Sequence, residues 1–321
     1  MALTVNPSAS VALSAPSSPS ARAWTLLLLL GAIWGGAFFF TEIALEAMSP
    51  FTLVAHRVVW AAAALWLYLL LAGRVRTPLT AGLWGRWAVM GLLNNIAPFS
   101  LIMWGQTAIE GGLASIFNAM TAPFGVLVAA LFLADERLSF QKIAGVLLGI
   151  AGVAAIVGAD ALDGLDPRSL GQFAVLLATV SYAFASVWGR VALKGVPVEL
   201  NAAGMLAMSA VMILPVALVV DGPPSFALSL PVWGAIFGIS LVGTAIAYLL
   251  YFEILRLAGA GNTMLVTLIV PPFAIGLGAV FLGERLEPAA FFGFGLIALG
   301  LAVIDGRLFR RRGQGNSTPI Q

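Results

Sequence analysis

Few side chains in this 321-residue chain could do bond-making chemistry. There is one histidine, His56, and no cysteine. That removes thiolate nucleophiles, disulfides and multi-histidine metal clusters together. Neither a Gly-x-x-x-x-Gly-Lys-Ser/Thr phosphate loop nor a Gly-x-Ser-x-Gly elbow is present. What stands out is a set of uncharged polar and aromatic residues in the middle of apolar stretches: Trp34, Asn94, Asn95, Asn118, Thr121, Ser181, Tyr182, Thr244, Tyr248 and Thr267. Pro98, Pro123, Pro271 and Pro272 lie among them and are read as helix breaks, because proline removes a backbone donor. Amides, hydroxyls and aromatic faces recognise a solute; they do not cleave one. The same residue types also hold membrane helices together. Asn94 and Asn95 favour a pocket, since adjacent helical side chains point about 100° apart and rarely share one packing partner.

A second group is Glu42, His56 and Arg57. Two helix-sized stretches bring these residues to similar depth near one end. A lone buried charge there is expensive, so Glu42 is expected to pair with Arg57 as a structural ion pair. The functional alternative is an outer gate, with His56 titrating near neutrality. No carboxylate and no Lys or Arg lies at mid-span. A neutral, zwitterionic or amphipathic solute therefore suits the interior better than a phosphate. Trp104 and Trp188 are further candidates for aromatic lining, whereas Trp24, Trp84, Trp87 and Trp233 read as interfacial belts.

The elements that must position these groups are membrane helices. The chain is 61% hydrophobic and only 9% charged, with a mean hydropathy of +1.02. So little charge cannot coat a soluble globule, which carries about 25%. Apolar stretches fall at 24–46, 50–72, 86–107, 111–133, 140–158, 170–190, 199–220, 231–253, 261–283 and 288–306. Most are long enough to cross a core of about 30 Å, and backbone satisfaction in lipid requires helices. All Lys and Arg except Arg57, Arg168 and Arg285 fall on one side of such a chain. The positive-inside rule puts both termini in the cytoplasm.

The chain repeats itself at an offset of 148. Ala134-Asp135-Glu136-Arg137-Leu138 matches Leu282-Gly283-Glu284-Arg285-Leu286, Pro123 matches Pro271, and Gly145, Gly152 and Gly158 match Gly293, Gly300 and Gly306. Five spans per half is an odd number, so the second half enters from the opposite side. The expectation is an all-α integral membrane protein: ten transmembrane helices as two inverted-topology five-helix repeats around a central cavity. The halves span 24–158 and 170–306, with a disordered tail at 1–23, an outer linker at 159–169 and a basic tail at 307–321. Glu136 and Glu284 are expected to cap the following helix or pair with Arg137 and Arg285.

These motifs resemble the EamA-type transporters of the drug/metabolite transporter superfamily. The resemblance is carried by Leu30-Gly31-Ala32-Ile33-Trp34-Gly35-Gly36, His56-Arg57, Asn94 to Gln106, Ala114-Ser115 with Pro123, Asp135-Glu136-Arg137-Leu138, Pro271 and Gly283-Glu284-Arg285-Leu286, and it covers 24–306. It implies a secondary transporter, not an enzyme, that works by alternating access without a nucleotide motor. Members export amino acids, metabolites or toxic compounds across the bacterial inner membrane. The expected partners are a small-molecule substrate and the lipid bilayer, with no cofactor, no metal, no nucleic acid and a monomeric chain. A channel, a membrane scaffold and an intramembrane enzyme are the rival readings.

Overall fold

The computed structural model describes residues 20–158 and 166–306. The expected tails and most of the linker, at 1–19, 159–165 and 307–321, lie outside the described residues. Every regular element among the described residues is helical. Among the described residues nine helices have the length and composition of a membrane span, and Val266–Leu282 is a shorter tenth.

Local signals start these helices. Ser20, Thr80, Ser139 and Asp166 accept from backbone N–H groups of α1 (Ala21–Leu45), α3 (Ala81–Gly91), α7 (Phe140–Val157) and α8 (Pro167–Ala192). Each cap satisfies one otherwise orphaned donor. In α2 (Pro50–Leu71) Ser49 makes no capping bond. Asp221, at the end of α9 (Val198–Val220), reaches across instead, accepting from Thr52 N at 2.7 Å and Thr52 Oγ1 at 2.9 Å. Gly158 and Gly306 end α7 and α13 (Pro288–Asp305) at φ of 73° and 71°, which a side chain would resist.

Equivalent helices of the two halves pack on one another. α2 lies on α9, and α7 lies on α13. α1 packs on α12 (Val266–Leu277), while its counterpart α8 packs on α4 (Ala97–Gly105) and α6 (Thr121–Phe132). Glycines set the closest crossings. A methyl on Gly35 would lie 2.9 Å from Val270 O of α12, and one on Gly31 would lie 2.3 Å from Ile269 Cγ2. Both glycines therefore serve close packing. Apolar side chains on the outer surface, such as Leu71 and Val219, are more than three-quarters exposed, as a lipid-facing surface requires.

Three spans carry a π-helical segment, and that of the ninth, Gly278–Leu282, follows directly on α12. In the third, residues 92–96 between α3 and α4 are wound as π-helix. In the eighth, 238–246 between α10 (Leu230–Phe237) and α11 (Ala247–Thr263) are wound the same way. Moved by the 148-residue offset, 92–96 becomes 240–244, so the two segments occupy equivalent places. A π turn widens the helix and re-aims its side chains, which is why such turns gather at functional sites.

The prolines act differently from the sequence expectation. Pro98 sits in the first turn of α4, directly after the π turn, and the span continues through it. Pro271 and Pro272 lie inside α12 without interrupting it. The interruption falls upstream, at Met264–Leu265, where Thr267 N and Leu268 N bond three residues back. Of the four, Pro123 alone adjoins a real break, at Ala119–Met120 between α5 (Gly111–Asn118) and α6. Trp87 is fully buried and donates to Asn201 Oδ1 at 2.9 Å, so it is a core residue and not part of an interfacial belt.

Candidate functional site

The π segments of the third and eighth spans bring polar groups of both halves together. Asn94 Nδ2 donates to Tyr248 Oη at 2.8 Å, and Tyr248 Oη donates to Asn95 Oδ1 at 3.1 Å. Asn95 Nδ2 donates to Ser209 Oγ of α9 at 2.9 Å. Asn95 is fully buried, while Asn94 and Tyr248 keep partial access to the interior space. Tyr248 stacks on Phe252, with ring centres 6.2 Å apart. Tyr182 of α8 packs against both halves of the core.

Arg57 belongs to this cluster and not to an ion pair. Its Nε donates to Thr244 Oγ1 at 2.9 Å, and its guanidinium carbon lies 3.7 Å from the centre of the Phe99 ring. The phenols of Tyr182 and Tyr248 lie near it. No carboxylate lies within ion-pair distance of it among the described residues. The expected Glu42–Arg57 pair is absent. Shared depth did not bring the two together, because α2 turns Arg57 toward the second π segment while α1 turns Glu42 toward α5. The interior thus holds a cation after all.

His56 points elsewhere. Its Nδ1 accepts from Trp60 Nε1 at 3.3 Å, and the ring stands edge-on to Phe226 and Trp233. It contacts neither Glu42 nor the polar cluster, which separates the three residues grouped as an ion pair or, alternatively, an outer gate.

Other expected lining residues serve the helices. Ser181 Oγ donates to Leu93 O at 2.7 Å, tying α8 to the first π segment. Thr121 and Thr267 donate to carbonyls three residues back, at Asn118 and Met264. Asn118 Oδ1 is buried without a partner among the described residues. Trp34 is half-buried, 5.9 Å from Tyr251, and borders the same interior. Trp104 is 47% exposed on the outer surface, and Trp188 donates to Arg86 O near one end. Neither joins the cluster.

The two ends of the bundle differ. At the end holding Arg22, a pocket of about 540 Å³ opens between α2, α9 and α11. Its wall includes Phe252, the residue stacked on Tyr248. Arg74–Glu199 and Arg22–Glu253–Arg256 ion pairs flank its mouth. At the other end the corresponding way in is shut. Glu42 accepts from Gly111 N in a short hydrogen bond, Glu284 Oε2 accepts from Gly112 N at 3.1 Å, and Gln106 Nε2 donates to Phe38 O at 3.0 Å. Glu284 therefore caps α5 from the other half instead of pairing with Arg285.

The offset explains this end. Glu42 and Glu284 occupy the positions equivalent to Arg190 and Glu136. Those two form an ion pair at 3.1 Å, with Lys142 at 3.1 Å from the same carboxylate. The hydrogen bonds from Lys142 and Arg190 hold the Glu136 carboxyl below the usual glutamate range. At the Glu42 end the inverted copy sets two carboxyl groups on the neighbouring amides Gly111 N and Gly112 N, with no basic partner among the described residues. Two carboxylates side by side repel each other, whereas an amide carries no charge. Glu42→Gln is therefore expected to hold this end shut. Its melting temperature should rise and its flux in liposomes should slow. Native flux with an unchanged melting temperature would show that the pair restrains nothing.

Two inverted sets of five apolar helices, with polar residues from both meeting inside, define a polytopic membrane protein of the transporter type. The chain belongs to the EamA-like transporter family, whose profile matches residues 22–158 and again 169–305. It is 30% identical to a probable terminal-alkyne amino-acid exporter of Streptantibioticus cattleyicolor, over 94% of this chain and 98% of that protein. It is 24% identical to an uncharacterized transporter of Bacillus subtilis, over 87% of this chain and 95% of the relative. A probable amino-acid metabolite efflux pump of Escherichia coli is 25% identical over 87% and 93%. A crystal structure with a TM-score of 0.65 and 20% identity covers 91% of this chain and 99% of its own, and shares the fold.

Proposed function

We propose that this chain is a secondary transporter that exports a small neutral, zwitterionic or amphipathic metabolite by alternating access. The observation that carries this reading is the polar cluster of Asn94, Asn95, Tyr248, Arg57 and Thr244. It is built from both inverted halves, beneath a pocket open at one end of a bundle closed at the other. A carrier needs a site that each half can expose in turn. The Lys and Arg bias puts the open, Arg22 end in the cytoplasm, where an exporter collects its solute. Two relatives are named as a probable terminal-alkyne amino-acid exporter and a probable amino-acid metabolite efflux pump, which supports a zwitterionic solute such as an amino acid. The protein acts in the cytoplasmic membrane with both termini inside, as a monomer.

The test is counterflow in proteoliposomes across amino acids, nucleosides, sugars and cationic drugs. A saturable flux, accelerated by unlabelled solute on the opposite side, is expected for one class. Flux that grows linearly with concentration and ignores the opposite side would mark a channel.

A further inference from the structure

We propose that Arg57 is the anchor for a carboxylate group of the transported solute, so that the site selects monoanionic carboxylates and zwitterions over amines, amides and sugars. This rests on the transporter reading above.

The first argument is charge. A guanidinium carries five N–H donors. Among the described residues, only the Nε–H has a hydrogen-bond partner, at Thr244. No hydrogen bond from either terminal nitrogen to another described residue is seen, and the residue as a whole is partly buried. The groups around the guanidinium are a hydroxyl, the Phe99 ring and the phenols of Tyr182 and Tyr248, all neutral. An unpaired cation inside a membrane protein costs several kcal/mol unless something answers it. Structural arginines are answered by a carboxylate of their own chain, as Arg190 is by Glu136. Arg57 has none among the described residues, so its missing counter-charge is one that comes and goes.

The second argument is geometry. The free edge of a guanidinium presents parallel N–H groups that match a carboxylate in a fork. Phe99 covers one face of the plane and Thr244 holds the Nε side, which leaves the terminal edge without a hydrogen-bond partner among the described residues. Tyr182, Tyr248 and Asn94 then offer aromatic surface and hydrogen-bonding groups for the rest of the solute. One guanidinium with no second cation beside it does not suit a dianion.

The third argument links binding to motion. Arg57 comes from the first half, whereas Thr244, Tyr182 and Tyr248 come from the second. A carboxylate that engages Arg57 bridges the two halves at the one charged contact between them in the cluster.

The experiment uses the full-length protein in liposomes and in detergent. Probes are amino acids and monocarboxylates, each set against its amide and its decarboxylated amine: phenylalanine and 3-phenylpropionate against phenylalaninamide and phenethylamine, with aliphatic equivalents. Counterflow and ligand-induced rise in melting temperature are expected only for the carboxylate-bearing members. If 3-phenylpropionate and its like act as well as phenylalanine, an organic acid is the cargo; if only the zwitterions act, it is an amino acid. Arg57→Lys should weaken the response at least roughly tenfold, because an ammonium cannot form the fork. Arg57→Met should abolish it while the ligand-free protein melts no lower than native, since an unanswered charge has been removed. A structural arginine would behave in the opposite way. Counterflow of amides or amines at the rate of the acids, or a carboxylate response that survives Arg57→Met, would overturn the assignment and leave the transporter reading standing. Silence of the native protein toward every solute, with or without a carboxylate, would take down both.

Discussion

Tyr248→Phe is expected to lower flux at least roughly tenfold while the protein still inserts, folds and binds detergent as a single species. The hydroxyl is the sole loss. It accepts from Asn94 at 2.8 Å and donates to Asn95 at 3.1 Å, and so joins the first π segment to α11 of the other half. The ring remains stacked on Phe252. Asn95 keeps its bond to Ser209, and its carbonyl still accepts from Asn94 Nδ2 at 3.4 Å, so its side chain stays in place. Weakening a buried polar group in this way costs no more than about 1–3 kcal/mol, which a protein of this size withstands. What it does not withstand is a cluster whose two halves no longer respond to each other. Asn94→Ala removes the same link from the other side and should resemble it. Flux is read by counterflow, folding by melting temperature and elution profile. Native flux in both variants would remove the Asn94–Tyr248 link from the transport path. A large fall in melting temperature would assign it to the scaffold.

The duplication was legible because it is written in residue types that a helix crossing and a turn both demand: glycine, proline and a charged corner, each twice at one offset. Inversion then followed from the odd number of spans. Side-chain partners were less legible. Depth along a helix can be counted from the sequence, but azimuth cannot. Glu42 and Arg57 share a depth and face different neighbours. The repeat did hold the missing signal: it sets Glu42 against Glu284 as it sets Arg190 against Glu136. The π turns had no signature at all, since one extra residue in a helical turn changes no composition. They nonetheless decide which side chains converge, and that is why Asn94 and Tyr248 meet while Thr121 and Thr267 turn back to their own helices.

Gly300→Ala is expected to be the most damaging single methyl in the chain. Its Cβ would lie 2.4 Å from Gly145 O and 3.1 Å from Gly149 N, against backbone that has no rotamer to yield. The contact is reciprocal: a methyl on Gly145 would lie 2.4 Å from Gly300 O. Gly152 and Gly293 repeat it, at 2.6 Å and 2.5 Å from each other's carbonyls. The offset carries Gly145 to Gly293 and Gly152 to Gly300, so the four glycines are two copies of one contact related by the pseudo-symmetry. One methyl must therefore push α7 and α13 apart along their whole crossing. Overpacking of this kind costs about 1–3 kcal/mol where side chains can adjust, and more where backbone faces backbone. Gly295 lies on the same helix with nothing within 4 Å of its Cβ position. Gly295→Ala should melt at or slightly above the native temperature, because alanine favours helix over glycine by about 1 kcal/mol. Gly300→Ala should melt well below both, with aggregated material on elution. If the two variants melt alike, the α7–α13 crossing has slack that its carbonyl contacts deny. If they part as expected, the crossing is where the two halves are held at a fixed distance. Any rocking between them must then pivot there, while the polar cluster opens and closes.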